Sequence, residues 1–330
     1  MVVMVLPAAV LSVTLVHWII GQLTSPKTLP ALDYKANIAT DCPTAIVVPV
    51  ILASIPEIDK LMEDLEVRWL SNADPMLRFV VLSDFRDSDT QTEPDDAELE
   101  QCLTAHIQRL NDRYPDYRDG PFFLMHRSRE YNEAQQCWMG WERKRGKLSN
   151  FNKFVLGDSQ EGFTLLSDNC EKLRGTRFAI VLDADTQLPP GSAARLIGTM
   201  AHPLNTAQVD EATGRVNSGY TILQPRIEIL PGQGSGTLFS HMYSGDTAID
   251  IYSRAVSDVY QDLFNTGVFV GKGIYDIKAF VQTTAGRIPE NAILSHDLFE
   301  GIHGRTALVS NIVLYEDFPT TYQQYLSLIH

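Results

Sequence analysis

The sequence predicts an α/β fold in which a mixed, mostly parallel sheet carries helices on both faces. Short apolar runs at 45–52 and 76–85 are typical of buried strands, and they flank residues 56–72, whose apolar positions recur at a helical period. This strand–helix–strand order is characteristic of parallel sheets. The clearest strand, RFAIVLDAD at 177–185, has five consecutive apolar residues before its two aspartates.

The remaining elements follow from the same patterns. Further strands are predicted at 121–127, 219–230, 267–276 and 307–316. Further helices are predicted up to about Leu110, at 190–203 and at 241–263. The later strands are less regular, which allows antiparallel pairs. Because ligands of open α/β sheets bind outside the carboxyl ends of the strands, we expect the chemistry at that edge.

Composition excludes several classes of protein. The 330 residues are 44% hydrophobic and 21% charged, which is typical of a globular chain and not of a disordered or collagen-like one. The net charge of −14 argues against general nucleic-acid binding, which needs a basic face. The acidic stretch at 87–101 is interpreted as a solvated loop or face. Four cysteines without a C-x-x-C pair predict reduced thiols and not a disulfide framework.

The amino-terminal segment, residues 1–26, contains no charged side chain. Because a spanning helix needs about 20 apolar residues, we predict a membrane helix here. A buried or interfacial helix is the alternative, since polar residues interrupt the run. The polar, proline-punctuated residues 27–44 are interpreted as a linker and residues 45–330 as one domain. Lys27 and Lys35 after the helix favour a cytosolic position for that domain.

Three aspartates follow predicted strands. Asp183 and Asp185 come directly after FAIVL, and residues i and i+2 of an extended segment point to one side. Two such carboxylates can hold a hard divalent cation, Mg²⁺ or Mn²⁺, although most D-x-D pairs are ordinary turn aspartates. Asp84 ends the strand VVLSDF in the same way, and there an Asx-turn is the competing interpretation.

The basic segment WERKRGKLSNFNKF at 141–154 stands out in an acidic chain. Gly146 and the asparagines at 150 and 152 predict a loop here and not a continuous helix. Backbone N–H groups with Arg and Lys side chains can cradle a phosphate, while a solvated basic loop is an equal alternative. The basic side chains are Arg143, Lys144, Arg145, Lys147 and Lys153.

The segment ENAILSHDLFEG at 290–301 contains a further candidate carboxylate. Asp297 and Glu300 lie three residues apart and share a face if the segment is helical. Asp297 is interpreted either as a helix-capping residue or as a general base that deprotonates a hydroxyl nucleophile. His296 beside it either tunes this carboxylate or is an ordinary hydrogen-bonded residue.

Glycines and polar side chains also interrupt the later strands. Gln224 and Arg226 interrupt the strand at 219–230, and NTGVFVGKG at 265–273 contains three glycines. Glycines in a strand often mark a close approach of ligand or backbone, and a bulge is the alternative.

Several strings together carry a resemblance to a known family. They are RWLSNADPMLRFVVLSDFRD, GWERKRGKLSNFN, VLDADTQLPPGSAARLIGTMAHPLN, GYTILQPRIE, GVFVGKGIYD and ENAILSHDLFEG. In this order they resemble the glycosyltransferase domain of cyclic β-1,2-glucan synthases, from about Ala45 to the end. That group is similar to the processive GT-A glycosyltransferases, such as cellulose, chitin and hyaluronan synthases. The resemblance implies a Rossmann-like GT-A fold and an inverting, metal-dependent glucosyltransferase.

The resemblance also implies roles on the nucleotide side. The donor would be UDP-glucose, with Asp84 contacting its uridine. The residues that would hold nucleotide and phosphate are Arg145, Lys147, Asn150 and Asp183. Asp183 and Asp185 would also bind the Mg²⁺ or Mn²⁺ cofactor.

On the transfer side, the resemblance makes Asp297 the catalytic base for a hydroxyl of a growing β-glucan. Gln224, Arg226, Gly271 and His296 would line the donor sugar or the acceptor. His296 stands where many relatives of the wider group carry Glu.

The resemblance further implies that the chain is part of a longer membrane enzyme. Processive relatives carry a Q-x-x-R-W element after the base, whereas this chain ends at YQQYLSLIH. We therefore expect a domain truncated at its carboxyl end and other domains in the same polypeptide. The expected location is a bacterial-type inner membrane, with the domain on the cytoplasmic side.

Two other functions remain open from the residues alone. DADTQ comes near the D-x-D-x-T pattern of phosphohydrolases, so a metal-dependent phosphohydrolase is one alternative. A non-catalytic fragment that binds a nucleotide or a glycan is the other.

Overall fold

The computed structural model describes residues 5–24, 27–115, 120–230, 259–289 and 296–317. The strands are β1 (Thr44–Leu52), β2 (Leu77–Phe85), β3 (Phe122–Arg127), β4 (Glu130–Asn132), β5 (Cys137–Met139), β6 (Leu165–Leu166), β7 (Phe178–Val181), β8 (Gln208–Asp210), β9 (Arg215–Ser218), β10 (Ile222–Ile229), β11 (Gly273–Asp276) and β12 (Thr306–Glu316). The α-helices are α1 (Val5–Leu23), α2 (Ile55–Ser71), α3 (Asp96–Arg113), α4 (Arg143–Leu156), α5 (Ser192–Ala201), α6 (Val259–Phe264), α7 (Ile277–Thr284) and α8 (Asp297–Gly304).

The central sheet confirms the predicted mostly parallel architecture. Its eight strands have the order β12-β10-β11-β7-β1-β2-β3-β6. Strand pairing is parallel except where β11 meets β10 and β7, and where β6 meets β3. The fold is therefore Rossmann-like, and the carboxyl ends of β1, β2, β3, β7, β10 and β12 lie along one edge of the sheet, the carboxyl edge.

Helices cover both faces of this sheet because the inner strands are apolar on both sides. Ile46 and Val48 of β1 belong to one buried cluster, together with side chains from α2, α3 and α5. Ala45 and Val47, the alternate residues of the same strand, belong to a second cluster with Phe151 of α4. Because successive side chains of a strand point to opposite faces of the sheet, β1 contributes to both hydrophobic cores.

Two predicted strands are shorter than their sequence patterns indicate. The strand predicted at 177–185 ends at Val181, and Asp183 and Asp185 occupy a turn. In that turn the Thr186 amide donates to the Asp183 carbonyl at 3.1 Å, which ends the extended backbone. The strand predicted at 267–276 begins only at Gly273, because Gly271 before it has a φ of +80°.

The predicted loop at 141–154 is wrong, because most of it forms helix α4. Phe151, Phe154 and Val155 of α4 are buried against the sheet, and this burial outweighs the weak helix propensity of Gly and Asn. Gly146 is required by packing, since a β-carbon there would collide with the Trp141 carbonyl oxygen.

The acidic stretch at 87–101 is not entirely solvated. Asp96 begins α3 and is buried. Its carboxylate accepts hydrogen bonds from both terminal nitrogens of the buried Arg129. A buried carboxylate needs such a partner, and no local sequence pattern indicates that Arg129 lies opposite Asp96.

Helix α1 occupies most of the uncharged segment and exposes many of its large apolar side chains. Within the described residues, no helix combines the length and the apolar character needed to cross a membrane. The predicted membrane span is therefore not found there, and α1 contains the polar residues Ser12, Thr14 and His17. Most of the helix predicted at 241–263, and the chain end after residue 317, lie outside the described residues.

Candidate active site

Two neighbouring clefts open at the carboxyl edge of the sheet. The residues of the first cleft that matter here are Asp84, Arg143, Lys144, Lys147, Asp183 and Asp185. Those of the second cleft are Lys144, Arg145, Gly271, His296, Asp297 and Glu300. Lys144 lines both clefts, so most of the predicted site residues converge around one lysine that sequence reasoning had not singled out for a role.

Three carboxylates lie together at the carboxyl edge, two in the turn after β7 and one at the end of β12. Oxygen atoms of Asp183, Asp185 and Glu316 all lie within 4.8 Å of one another. Glu316 is the last residue of β12, and Thr186 donates a hydrogen bond to it at 2.9 Å. An all-oxygen set of this kind fits a hard divalent cation such as Mg²⁺ or Mn²⁺.

Two lysines pair with two of these carboxylates, Asp183 and Glu316. Lys144 Nζ lies 2.6 Å from Asp183 Oδ1 and donates to the Gly271 carbonyl at 2.9 Å. Lys272 Nζ lies 3.1 Å from Asp183 Oδ2 and also contacts Glu316. Burial opposes the ionisation of Asp183, but the two ammonium groups outweigh it and hold the pKa of Asp183 below its usual value.

Asp185 has the opposite electrostatic environment. Desolvation in the cleft raises the pKa of Asp185, and the negative charges of Glu316 and Asp183 raise it further. Asp185 would therefore gain most from a cation placed among the three carboxylates.

Helix α2 supports the turn that contains Asp183 and Asp185. The buried Arg68 donates a hydrogen bond to the Ala184 carbonyl between the two aspartates. Burial lowers the pKa of the Arg68 guanidinium, while the charge of Asp185 acts in the opposite direction. Arg68 thus fixes the backbone of the turn and places positive charge beneath the carboxylates.

Asp84 is part of a buried ionic network under the first cleft. Arg127 Nε and Nη2 donate to its two oxygens, each at 2.8 Å, and Lys147 Nζ lies 3.2 Å away. Lys147 also donates to the Val50 carbonyl at 2.5 Å. Asp84 is only 3% exposed and Lys147 only 2%. The structure therefore brings both residues to the floor of the cleft, where they are already paired.

Removing Arg127 should destabilise the protein strongly. We expect Arg127→Leu to lower the free energy of unfolding by about 3–5 kcal/mol, because it leaves Asp84 as a buried charge without its bidentate partner. Urea unfolding measures this change. Arg109→Leu, at an exposed position of α3, is the matched control and should have little effect. A loss below about 1 kcal/mol for Arg127→Leu would contradict the assignment of the network as a structural support.

The second cleft contains a carboxylate pair on α8. Asp297 is the first residue of this helix, and Glu300 follows one turn later. A β-carbon at position 271 would lie 2.8 Å from Asp297 Oδ2, so Gly271 makes room for this carboxylate. Burial raises the pKa of Asp297, and the charge of Lys144 offsets only part of that effect.

Glu300 is only 7% exposed, and burial together with the charge of Asp297 raises its pKa to about 7. The folded state therefore binds this proton more tightly than the unfolded state. Stability is greatest below the ordinary Glu pKa of 4.5 and falls as the pH rises to about 7 and above.

We expect Glu300→Gln to stabilise the protein by about 3 kcal/mol at pH 8, because the uncharged amide avoids the cost of a buried carboxylate. At pH 5, where Glu300 is mostly protonated, the variant and the parent should unfold at similar temperatures. Thermal unfolding at the two pH values measures the difference. Glu98→Gln on the exposed side of α3 is the control. Equal stabilisation at both pH values would rule out titration of Glu300 as the cause.

His296 and Arg145 share one acidic partner. Arg145 Nη1 lies 3.1 Å from Glu142 Oε2, and His296 Nε2 lies 3.4 Å from the same oxygen. Burial and the nearby Arg145 lower the pKa of His296. These side chains form the wall of the second cleft next to Asp297.

Three predicted site residues line neither cleft. Asn150 donates to the Glu161 carbonyl at 2.7 Å. Gln224 is fully buried, and its Oε1 accepts from the Val270 amide at 3.0 Å, so it supports the backbone just before Gly271. Arg226 pairs with Glu228 at 2.8 Å.

Comparison with known proteins adds one relative. No family model matches the chain. Over 326 residues, 98% of its length, the chain is 38% identical to the cyclic β-(1,2)-glucan synthase NdvB of Rhizobium meliloti (strain 1021). The match spans 11% of the length of NdvB, so the chain is similar to one region of a much longer cyclic β-1,2-glucan synthase.

Sequence reasoning missed four residues of the candidate site. They are Arg68, Lys144 (seen only as one of several basic residues), Lys272 and Glu316. Glu316 ends a predicted strand as Asp84 does, and this signal was available in the sequence. Arg68 and Lys272 carry no such signal, because only the tertiary fold brings them to the D-A-D turn.

Proposed function

We propose that this chain binds UDP-glucose at the carboxyl edge of its sheet and transfers the glucose, with inversion, to a growing β-1,2-glucan. One observation carries the proposal: Lys144 contacts both Asp183 and the backbone of Gly271, which abuts Asp297. The Lys144 ammonium group therefore lies between Asp183, which is suited to binding the donor, and Asp297, which is suited to deprotonating the acceptor. The similarity to NdvB and the Rossmann-like sheet favour a GT-A glucosyltransferase.

The donor side is suited to a nucleoside diphosphate. Lys144 and Lys272 concentrate positive charge beside the D-A-D turn, and charge-assisted bonds from ammonium groups bind phosphate oxygens well. Asp183, Asp185 and Glu316 would hold Mg²⁺ or Mn²⁺, which neutralises charge that develops on a departing diphosphate. The lysines would then turn from the carboxylates towards the phosphates.

The acceptor side supplies the base. Asp297 takes the proton from the attacking hydroxyl as its oxygen bonds to the anomeric carbon of glucose. In the same step the bond from that carbon to the diphosphate breaks, and UDP leaves with the bonding electrons. The raised pKa of Asp297 makes it a better proton acceptor than an ordinary aspartate. One displacement of this kind inverts the anomeric configuration and gives a β-linked product from an α-linked donor.

The function is tested by titrating the protein with UDP-glucose, UDP and a plain phosphate ester in the presence of Mn²⁺. Release of UDP together with a lengthened glucan supports the proposal. Release of inorganic phosphate from the ester would favour a metal-dependent phosphohydrolase instead. Tight UDP binding without turnover, in the presence of glucan acceptor and all other domains of the protein, would indicate a non-catalytic binding module.

Replacing Lys144 tests the donor side. We expect Lys144→Met to weaken UDP binding by about 10- to 100-fold, because a charge-assisted bond contributes about 1.5–3 kcal/mol. Calorimetric titration with UDP measures the affinity. Lys60→Met, at an exposed position of α2, is the matched control and should bind UDP as the parent does. Unchanged affinity in Lys144→Met would place the diphosphate elsewhere.

A further inference from the structure

A second cluster of ligand-type side chains lies between α2 and α3, in the helix layer outside the active-site clefts. Cys102 and His106 are four residues apart on α3, which places them on one face, one turn above the other. Asp59 reaches them from α2. The three donor atoms, a sulfur, an imidazole nitrogen and a carboxylate oxygen, all lie within 4.8 Å of one another.

The donor types distinguish this cluster from the carboxylates of the active site. Thiolate and imidazole are soft to intermediate ligands that favour zinc and related transition metals over Mg²⁺ or Mn²⁺. His106 Nε2 already lies 2.8 Å from Asp59 Oδ1. Ligand atoms around a tetrahedral zinc ion are about 3.5 Å apart, given bonds of about 2.0–2.3 Å. Small side-chain rotations would bring all three donors to that spacing.

The surroundings allow both entry and retention of an ion. The His106 side chain is 18% exposed and that of Asp59 is 53% exposed, while Cys102 is half-buried. One side of the cluster is therefore open to water, which can enter and occupy a fourth coordination position. Glu98, one turn before Cys102 on α3, and Arg109, two turns after it, act on the thiol with opposite charges.

From this geometry we propose that Asp59, Cys102 and His106 bind one zinc ion that joins α2 to α3. The ion replaces the proton of the Cys102 thiol, and the negative charges of the thiolate and of Asp59 balance its two positive charges. Helix α2 also borders the first cleft through Glu57, Ile58 and Leu61. The bound ion thus stiffens a wall of that cleft without contacting it, and this site does not depend on the proposed glucosyltransferase activity.

Cobalt(II) is the probe that tests the site in the intact chain, because a cobalt–thiolate bond gives a near-ultraviolet charge-transfer band. The active-site carboxylates offer no sulfur and cannot produce this band. We expect one equivalent of Co²⁺ to generate the band and one equivalent of Zn²⁺ to abolish it. Cys102→Ser should lose the band, and His106→Ala should weaken Co²⁺ binding by at least about tenfold. Cys137→Ser, which removes another half-buried thiol, should retain the band.

Thermal unfolding keeps the test decisive if a variant is less stable. In an Asp185→Ala background, which removes the active-site cation ligand, Zn²⁺ should raise the Tm by a few degrees, also when Cys137→Ser is added, and should leave the Tm unchanged when Cys102→Ser is added. Mg²⁺ should not shift the parent Tm through this site, which is checked in Asp185→Ala. Absence of a thiolate band in the folded parent, or an equal band in Cys102→Ser, would overturn the proposal and leave the contact between His106 and Asp59 as an ordinary side-chain contact between two helices.

Discussion

Replacing Asp297 with asparagine is expected to lower the rate of glucosyl transfer by about 100- to 10,000-fold, the usual contribution of a general base. The amide is nearly the same size as the carboxylate, so the position beside Gly271 remains filled and the cleft keeps its shape. It cannot accept the proton of an attacking hydroxyl. The affinity for UDP should stay close to that of the parent, because the phosphate-binding lysines are untouched. Steady-state kinetics with UDP-glucose and calorimetry with UDP together measure the two effects.

Asp112→Asn provides the matched control for this variant, since Asp112 is an exposed carboxylate of α3. Its transfer rate should equal that of the parent. Turnover in Asp297→Asn within a few-fold of the parent would remove Asp297 from its role as base. The neighbouring Glu300 would then be the carboxylate to examine, because its pKa of about 7 also suits proton transfer.

Asp185→Ala is expected to abolish the part of UDP binding that depends on Mn²⁺. Lysines hold both Asp183 and Glu316, while Asp185 carries the raised pKa of a carboxylate crowded by negative charge. A cation among the three carboxylates relieves that crowding, so its affinity should depend strongly on Asp185. The affinity for UDP should then be the same in Mn²⁺ and in EDTA for the variant, whereas Mn²⁺ should strengthen binding to the parent by at least about tenfold.

The control for the metal prediction is Asp158→Ala, which removes an exposed carboxylate after α4. It should keep the full response to Mn²⁺. If the parent itself binds UDP equally well in Mn²⁺ and in EDTA, the metal role is contradicted. Lys144 and Lys272 would then supply the positive charge of the donor side by themselves.

The sheet and the position of the site at its carboxyl edge could be predicted from the sequence, because both depend on local patterns. Apolar runs identified the strands, and aspartates at strand ends identified the carboxyl edge. The D-A-D pair shows the limit of this reasoning. Its carboxylates were predicted to converge because an extended segment alternates, whereas they converge through a turn closed by Thr186.

Residues contributed by distant elements could not be predicted in the same way. Lys272 reaches Asp183 because β11 runs antiparallel to β7, with Gly273 opposite Val181, and no local pattern specifies that register. Asn150 is the converse case, because its place in the sequence did not predict where its side chain lies. It belongs to the basic segment, but the helical turn of α4 directs it to the Glu161 carbonyl and away from both clefts.

The central claim is that this edge of the sheet transfers glucose from UDP-glucose to a glucan hydroxyl. The most direct test is analysis of the product formed from UDP-glucose by the active protein, with linkage and anomeric configuration determined by NMR. We predict that one UDP is released for each glucose unit added, that the glucose units are joined by β-1,2 bonds, and that Asp297→Asn forms this product at least about 100-fold more slowly. An α-linked product, or hydrolysis to phosphate without transfer, would contradict the proposed function.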